Sequence, residues 1–188
     1  MSRQLVIYPD PILTRKTEPV TQFNRWLNDL ADEMIQIMTA APGLGLAAPQ
    51  AGESKSLLVA DTEVIKSIQA EQQLPSLLAP DLPRFIALCN PKIVGHEGTT
   101  EYIEGCLSLP DIHEIIDRHQ QITVAWQDLS GNPQITTADG LLAIVLQHEI
   151  DHLDGILLLD RISPLKRELY RKRLIKRSKQ SEPTESFD

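Results

Sequence analysis

The chain reads as an α+β protein: small, mainly antiparallel β-sheets packed around a central helix that carries an HExxH pattern, with an N-terminal amphipathic helix and a C-terminal helix. Three observations predict this. Apolar residues recur at helical spacing near the start, short alternating runs divided by turn signals fill the middle, and a dense apolar run closing on a glycine contains QHEIDHLDG at 147–155.

The first helix is read from TQFNRWLNDLADEMIQIMTAAPG, where Trp26, Leu30, Met34, Ile37 and Met38 share a face, Thr21 is a candidate cap and Pro42-Gly43 a stop. SLLVAD, RFIALCNP, KIVG, TTEYIE, QITVAWQD and PQITTA read as strands because Asn-Pro, Gly and Gly-Asn-Pro signals separate them. ADGLLAIVLQHEIDHLDG reads as a second, largely buried helix with Asp139 as its cap and Gly155 as its terminator. Residues 62–84 lack strand alternation and hold three prolines, so they read as an insertion or long loop with at most a helical turn. The expected organisation is a catalytic unit over 1–163, a basic helix over 164–180, and a frayed polar tail over 181–188.

With 188 residues and 41% hydrophobic content, one domain can bury a real core. No stretch approaches the roughly 20 apolar residues of a membrane span, and the first residues lack the apolar core of a secretory signal. The expectation is a cytoplasmic protein without membrane contact, in which Cys89 is a core thiol and Cys106 is free to ligate. Charge is uneven: residues 1–160 carry nine Lys and Arg against 22 acids, and residues 161–188 carry nine against four. A basic segment on an acidic body suits a phosphate-bearing partner, although a solvated helix face gives the same count.

His148 and His152 stand four residues apart, so on a helix both imidazoles share one face and can converge on an ion, with Glu149 beside them. A histidine alone on a buried helix is more often a packed core residue than a ligand; the pair with its glutamate reverses that. Two routes to a third ligand fail. The extended pattern HExxHxxGxxH breaks at Leu158, and a glutamate on a following helix would have to be Glu168, amid basic residues. Cys106, after a glycine at the end of a strand-like run in EGCLSLP, supplies a thiolate and leaves one position open for water.

GLGLAAPQ (43–50), EGCLS (104–108) and QHEIDHLDG (147–155) together resemble the three signature motifs of the peptide deformylases, in that family's order and at similar spacing. The likeness runs from YPDPIL to SPLKRELYRK. It implies removal of the formyl group from the N-terminal formyl-methionine of nascent chains, with Cys106, His148 and His152 on the metal, which in this family is usually ferrous iron. The donor set by itself also suits zinc, nickel or cobalt. Glu149 is the expected general base and acid, and the resemblance assigns oxyanion donors to the Gln50 side-chain amide and the Leu107 backbone N–H. Leu44, Leu141, Ile144 and Val145 match positions lining the family's methionine pocket, and Gly43, Gly45 and Gly105 would admit a peptide main chain. His113 stands where many members have Tyr or Arg.

The resemblance also implies formyl-methionyl peptides and nascent chains as partners, ribosome contact through the basic helix, and a monomer. On that helix Leu165, Leu169 and Ile175 are expected against the body, with Arg171, Lys172, Arg173, Lys176 and Arg177 solvated. Two other readings exist. A generic HExxH metallopeptidase would leave GLGLAAPQ and EGCLS unexplained, and a noncatalytic ribosome-binding module would not need Glu149.

Overall fold

A computed structural model describes residues 3–74 and 82–181. Five strands form an antiparallel sheet in the order β1-β2-β3-β6-β7: β1 (Gly45–Ala47), β2 (Leu57–Asp61), β3 (Phe85–Glu97), β6 (Gln121–Gln127) and β7 (Pro133–Asp139). A separate two-stranded hairpin pairs β4 (Thr100–Cys106) with β5 (Leu109–Arg118). Among the described residues four α-helices accompany the sheets: α1 (Arg25–Ala40), α2 (Thr62–Glu71), α3 (Gly140–Leu153) and α4 (Pro164–Ser181). The α+β class is as the sequence predicts, and residues 148–152 lie on α3.

Strand β2 is buried on both faces, and its period-2 geometry sorts its side chains between two cores. Leu57 and Val59 join the α1 residues Leu27, Leu30, Met34 and Met38, while Leu58 and Ala60 meet Leu142 and Leu146 of α3. Helix α3 is apolar nearly all round because it lies inside the protein. Its end is fixed from outside: Gly155 adopts φ +74°, and a Cβ there would lie 2.9 Å from the backbone of Thr14 and Arg15. Thr17 donates both its N–H, at 2.8 Å, and its hydroxyl, at 2.9 Å, to the Leu153 carbonyl.

Several expectations change. The N-cap of α1 is Asn24 rather than Thr21, accepting from Leu27 N–H at 3.2 Å, and Leu27 takes the buried place while Trp26 faces outward. Residues 62–71 form a ten-residue helix, because the Asp61 side chain caps it and all three prolines fall beyond it. RFIALCNP and KIVG are one strand, joined through an irregularity at Asn90, which has φ 52°. On α4 the buried residue is Leu174, with Tyr170 and Ile175 beside it; Leu165 and Leu169 are 82% and 63% exposed. The expected frayed tail lies, apart from Ser181, outside the described residues. No helix among the described residues is long and apolar enough to cross a membrane.

Candidate metal centre and active site

Two elements bring the three predicted ligands together. Cys106 ends β4 where the β4–β5 ladder shifts register, so its thiol turns inward, and His148 and His152 lie one turn apart on α3. Their ligand atoms all lie within 4.8 Å of one another, and Cys106 Sγ is 3.2 Å from His152 Nε2. His148 Nδ1 is 2.8 Å from Glu104 Oε2, which leaves Nε2 for an ion. The donor set fits a divalent metal: one soft thiolate, two imidazoles, and a ring orientation already held by a carboxylate.

Behind this triad runs a buried chain of charges that the sequence reading missed. Arg118, with its side chain 2% exposed, donates to Glu104 at 2.6 and 2.9 Å and to Asp151 at 2.6 Å, and Arg161 grips Asp151 from the surface. Burial pushes the Glu104 carboxyl up, but Arg118 and His148 more than offset this and hold it at about 2. Burial likewise lowers His148, yet Cys106 and Glu104 keep it well above the ordinary histidine value. A proton and an ion therefore compete for the same His148 nitrogen. His152 is held well below its ordinary value by burial, then by His148 and Arg118, which keeps it neutral and ready to ligate.

Glu149 is buried beside the candidate ligands, and its Oε2 has no hydrogen-bond partner among the described residues. Burial pushes its carboxyl up to about 7, with Glu104 adding to the shift and His148 and Arg118 opposing it, so it can both take and return a proton near neutrality. Gln50 is fixed at one end, where Oε1 accepts from Ala47 N–H at 2.8 Å. Its Nε2 points at Ser108 Oγ, 3.3 Å away, and at Cys106 Sγ, 3.7 Å away.

A cavity of about 490 Å³ opens onto this centre. Leu44, Gly45, Gln50, Gly105, Cys106, Leu107, Leu141, Ile144, Val145, His148 and Glu149 all line it; of the residues singled out, only His152 stands behind the wall. Tyr102, Ile103 and His113 also line it, the first two unforeseen. Gly45 has a reason besides substrate access, since a Cβ there would sit 2.7 Å from Glu149 Oε1. At Gly105 the His113 ring fills the space, 2.9 Å from where a Cβ would be. Cys89 is buried away from the cavity and its thiol is pushed up to about 12 by burial, which makes it inert as a ligand. His96 and His119 stack on each other with ring centroids 3.8 Å apart.

Two imidazoles one turn apart, a thiol facing them and a buried carboxylate with one oxygen unpartnered among the described residues define a class, the metal-dependent hydrolases of HExxH type. Within that class the comparisons agree: the Polypeptide deformylase family model matches residues 2–168. The chain belongs to the polypeptide deformylase family. It is similar to the peptide deformylase of Acidobacterium capsulatum, 44% identical over 182 residues that make up 97% of this chain and 99% of that one. The peptide deformylase of Thermodesulfovibrio yellowstonii is 46% identical over 166 residues, 88% and 92% of the two chains. The crystal structure of a peptide deformylase from Legionella pneumophila has a TM-score of 0.80 at 37% identity and covers 97% of this chain and 100% of that one.

Proposed function

We propose that this chain removes the formyl group from the N-terminal formyl-methionine of newly made polypeptides, releasing formate and a free methionine amine. The observation that carries the reading is the buried Glu149 carboxylate, with no partner at Oε2 among the described residues, beside the converging atoms of Cys106 and His148, which line the cavity, and of His152 behind its wall. A divalent ion held by those three residues, ferrous iron by family habit and zinc, nickel or cobalt by chemistry, would polarise the formyl carbonyl and lower the pKa of a water from 15.7 toward about 7.

With the ion in place, Glu149 would take the proton from a water whose oxygen attacks the formyl carbon, then give it to the nitrogen as the C–N bond breaks. Gln50 Nε2, oriented through its bond from Ala47, donates to the oxyanion, and the Leu107 N–H is the second donor, each worth on the order of 3 kcal/mol. Leu44, Leu141, Ile144 and Val145 give the unbranched thioether an apolar wall. Release of formate from formyl-Met-Ala-Ser by metal-loaded protein tests the reading, and cleavage within unformylated peptides instead would return it to the generic metallopeptidase.

Helix α4 takes no part in this chemistry. Its Arg171, Lys172, Arg173 and Lys176 are exposed, which supports a contact with ribosomal RNA phosphate in the cytoplasm, by a monomer whose site is complete in one chain. Because Leu174 is buried, reversing these charges is a better test than removing the helix. Ribosome cosedimentation with steep salt dependence should be lost in the reversed variant, and unchanged binding across a salt series would leave α4 a solvated face.

A further inference from the structure

The β4–β5 hairpin inverts its polarity at two adjacent rungs. Ile103 pairs with Ile115 and both point outward, 64% and 60% exposed, while the next rung, Glu104 with Glu114, is buried. Each buried carboxylate has its own partners. Glu104 holds His148 and Arg118; Glu114 accepts from Lys166 Nζ at 2.7 Å and from the Tyr170 hydroxyl at 2.5 Å. The outward isoleucines have no such counterpart, since folding leaves most of both side chains uncovered.

Their position is informative. Ile103 and His113 both line the active-site cavity, and Gly105–His113 is the outward rung between Cys106 and the isoleucine pair. Rungs on one face are two residues apart, roughly 7 Å, which two residues of an extended peptide span, or one residue together with the reach of its side chain. Beyond the isoleucines the outward rung is Glu101 with Asp117, both exposed and acidic. The surface therefore runs from the cavity to an apolar step and then to negative charge. Two isoleucines are far too small for the roughly 800 Å² per partner of a stable dimer, whereas one peptide side chain matches them.

We propose that Ile103 and Ile115 form a ledge that receives an apolar side chain at the second or third residue of the formyl-methionyl polypeptide. The enzyme then prefers chains with a leucine-like residue there and disfavours acidic ones, which meet Glu101 and Asp117. This rests on the deformylase reading above.

The test is a kcat/KM panel on formyl-Met-X-Ser and formyl-Met-Ala-X, with X as Leu, Ser or Glu. The native enzyme should favour Leu over Ser by about tenfold at one of the two positions, within the range that a small apolar contact supplies. The difference should lie in KM, because the ledge does not touch the reacting bond, and Glu should fall below Ser. Ile103→Ser and Ile115→Ser should each shrink the ratio, and the double variant should bring it within about twofold of unity. A native Leu-to-Ser ratio near one at both positions overturns the proposal, as does a ratio that survives the double substitution. Absence of formate release from every formyl peptide would defeat the deformylase reading itself; release without side-chain preference defeats only the ledge.

Discussion

Gly45 and Glu149 are in such close contact that a single added methyl on Gly45 would lie 2.7 Å from the carboxylate Oε1 and 2.8 Å from Cγ. Val145 stands 2.9 Å away on the same side, so the carboxylate would have to move. Gly45→Ala should therefore displace the base without removing it. The expected loss is on the order of 100-fold in kcat, as for a misplacement of about 1 Å. Kinetics alongside metal analysis decide it: the variant should keep its metal.

Glu149→Gln should also retain the ion, since none of the three candidate ligands changes, while turnover falls by about 100- to 10,000-fold because an amide cannot shuttle a proton. Cys106→Ser should show the opposite pattern, with metal lost on dialysis and activity following occupancy. Full metal in the serine variant, or near-normal turnover in the glutamine variant, would reassign these residues.

Arg118 balances the buried Glu104 and the half-buried Asp151, so Arg118→Ala leaves Glu104 with His148 alone and Asp151 with Arg161 alone. Breaking such a pair typically costs about 3–5 kcal/mol, which for a chain of this size lowers Tm by roughly 10 °C. Because Glu104 also orients His148, metal affinity should fall about 10- to 100-fold. A cobalt titration monitored by absorbance separates the two effects, and unchanged affinity in the folded variant would confine Arg118 to stability.

Glu114 ties α4 to β5, and its carboxyl is held below the ordinary value by Lys166 and then Tyr170. On acidification the unfolded carboxyl protonates first, so the stabilisation is complete above the ordinary glutamate pKa and is lost as pH falls through the lower folded value. Glu114→Gln should thus be less stable than the native protein at pH 7, with the gap closing in acid. Thermal melts of both proteins across that range check it, and a gap independent of pH would mean that charge is not what Glu114 contributes.

The cluster of Cys106, His148 and His152 with Glu149 beside it was legible because such chemistry demands particular residue types at particular spacings, α1 because an apolar stripe repeats every turn, and α3 because a dense apolar run closes on a glycine. Strand β5 was not. In LPDIHEIIDR the inward positions include Glu114 and Arg118 while Ile115 faces out, so polarity no longer reports which side is buried. The Arg118–Asp151–Arg161 chain escaped for a related reason: a buried ion pair looks like surface until its partner, distant in sequence, is placed against it. On α4 the outward Leu165 and Leu169 were mistaken for its docking face, although Leu174 occupies it.

The strap that the N-terminal segment lays over α3 has a consequence for the order of events during synthesis. Thr17 waits for a carbonyl 136 residues downstream, and the Tyr8 hydroxyl accepts from Arg171, 163 residues away. Closing such loops carries an entropic cost that local turns do not. Tyr8 and Thr17 leave the ribosome long before these partners and are therefore among the last residues to find their places. On a growing chain, His148 and His152 appear only after the five strands of the sheet have been made, and the segment that fastens their helix has by then already waited through all of them.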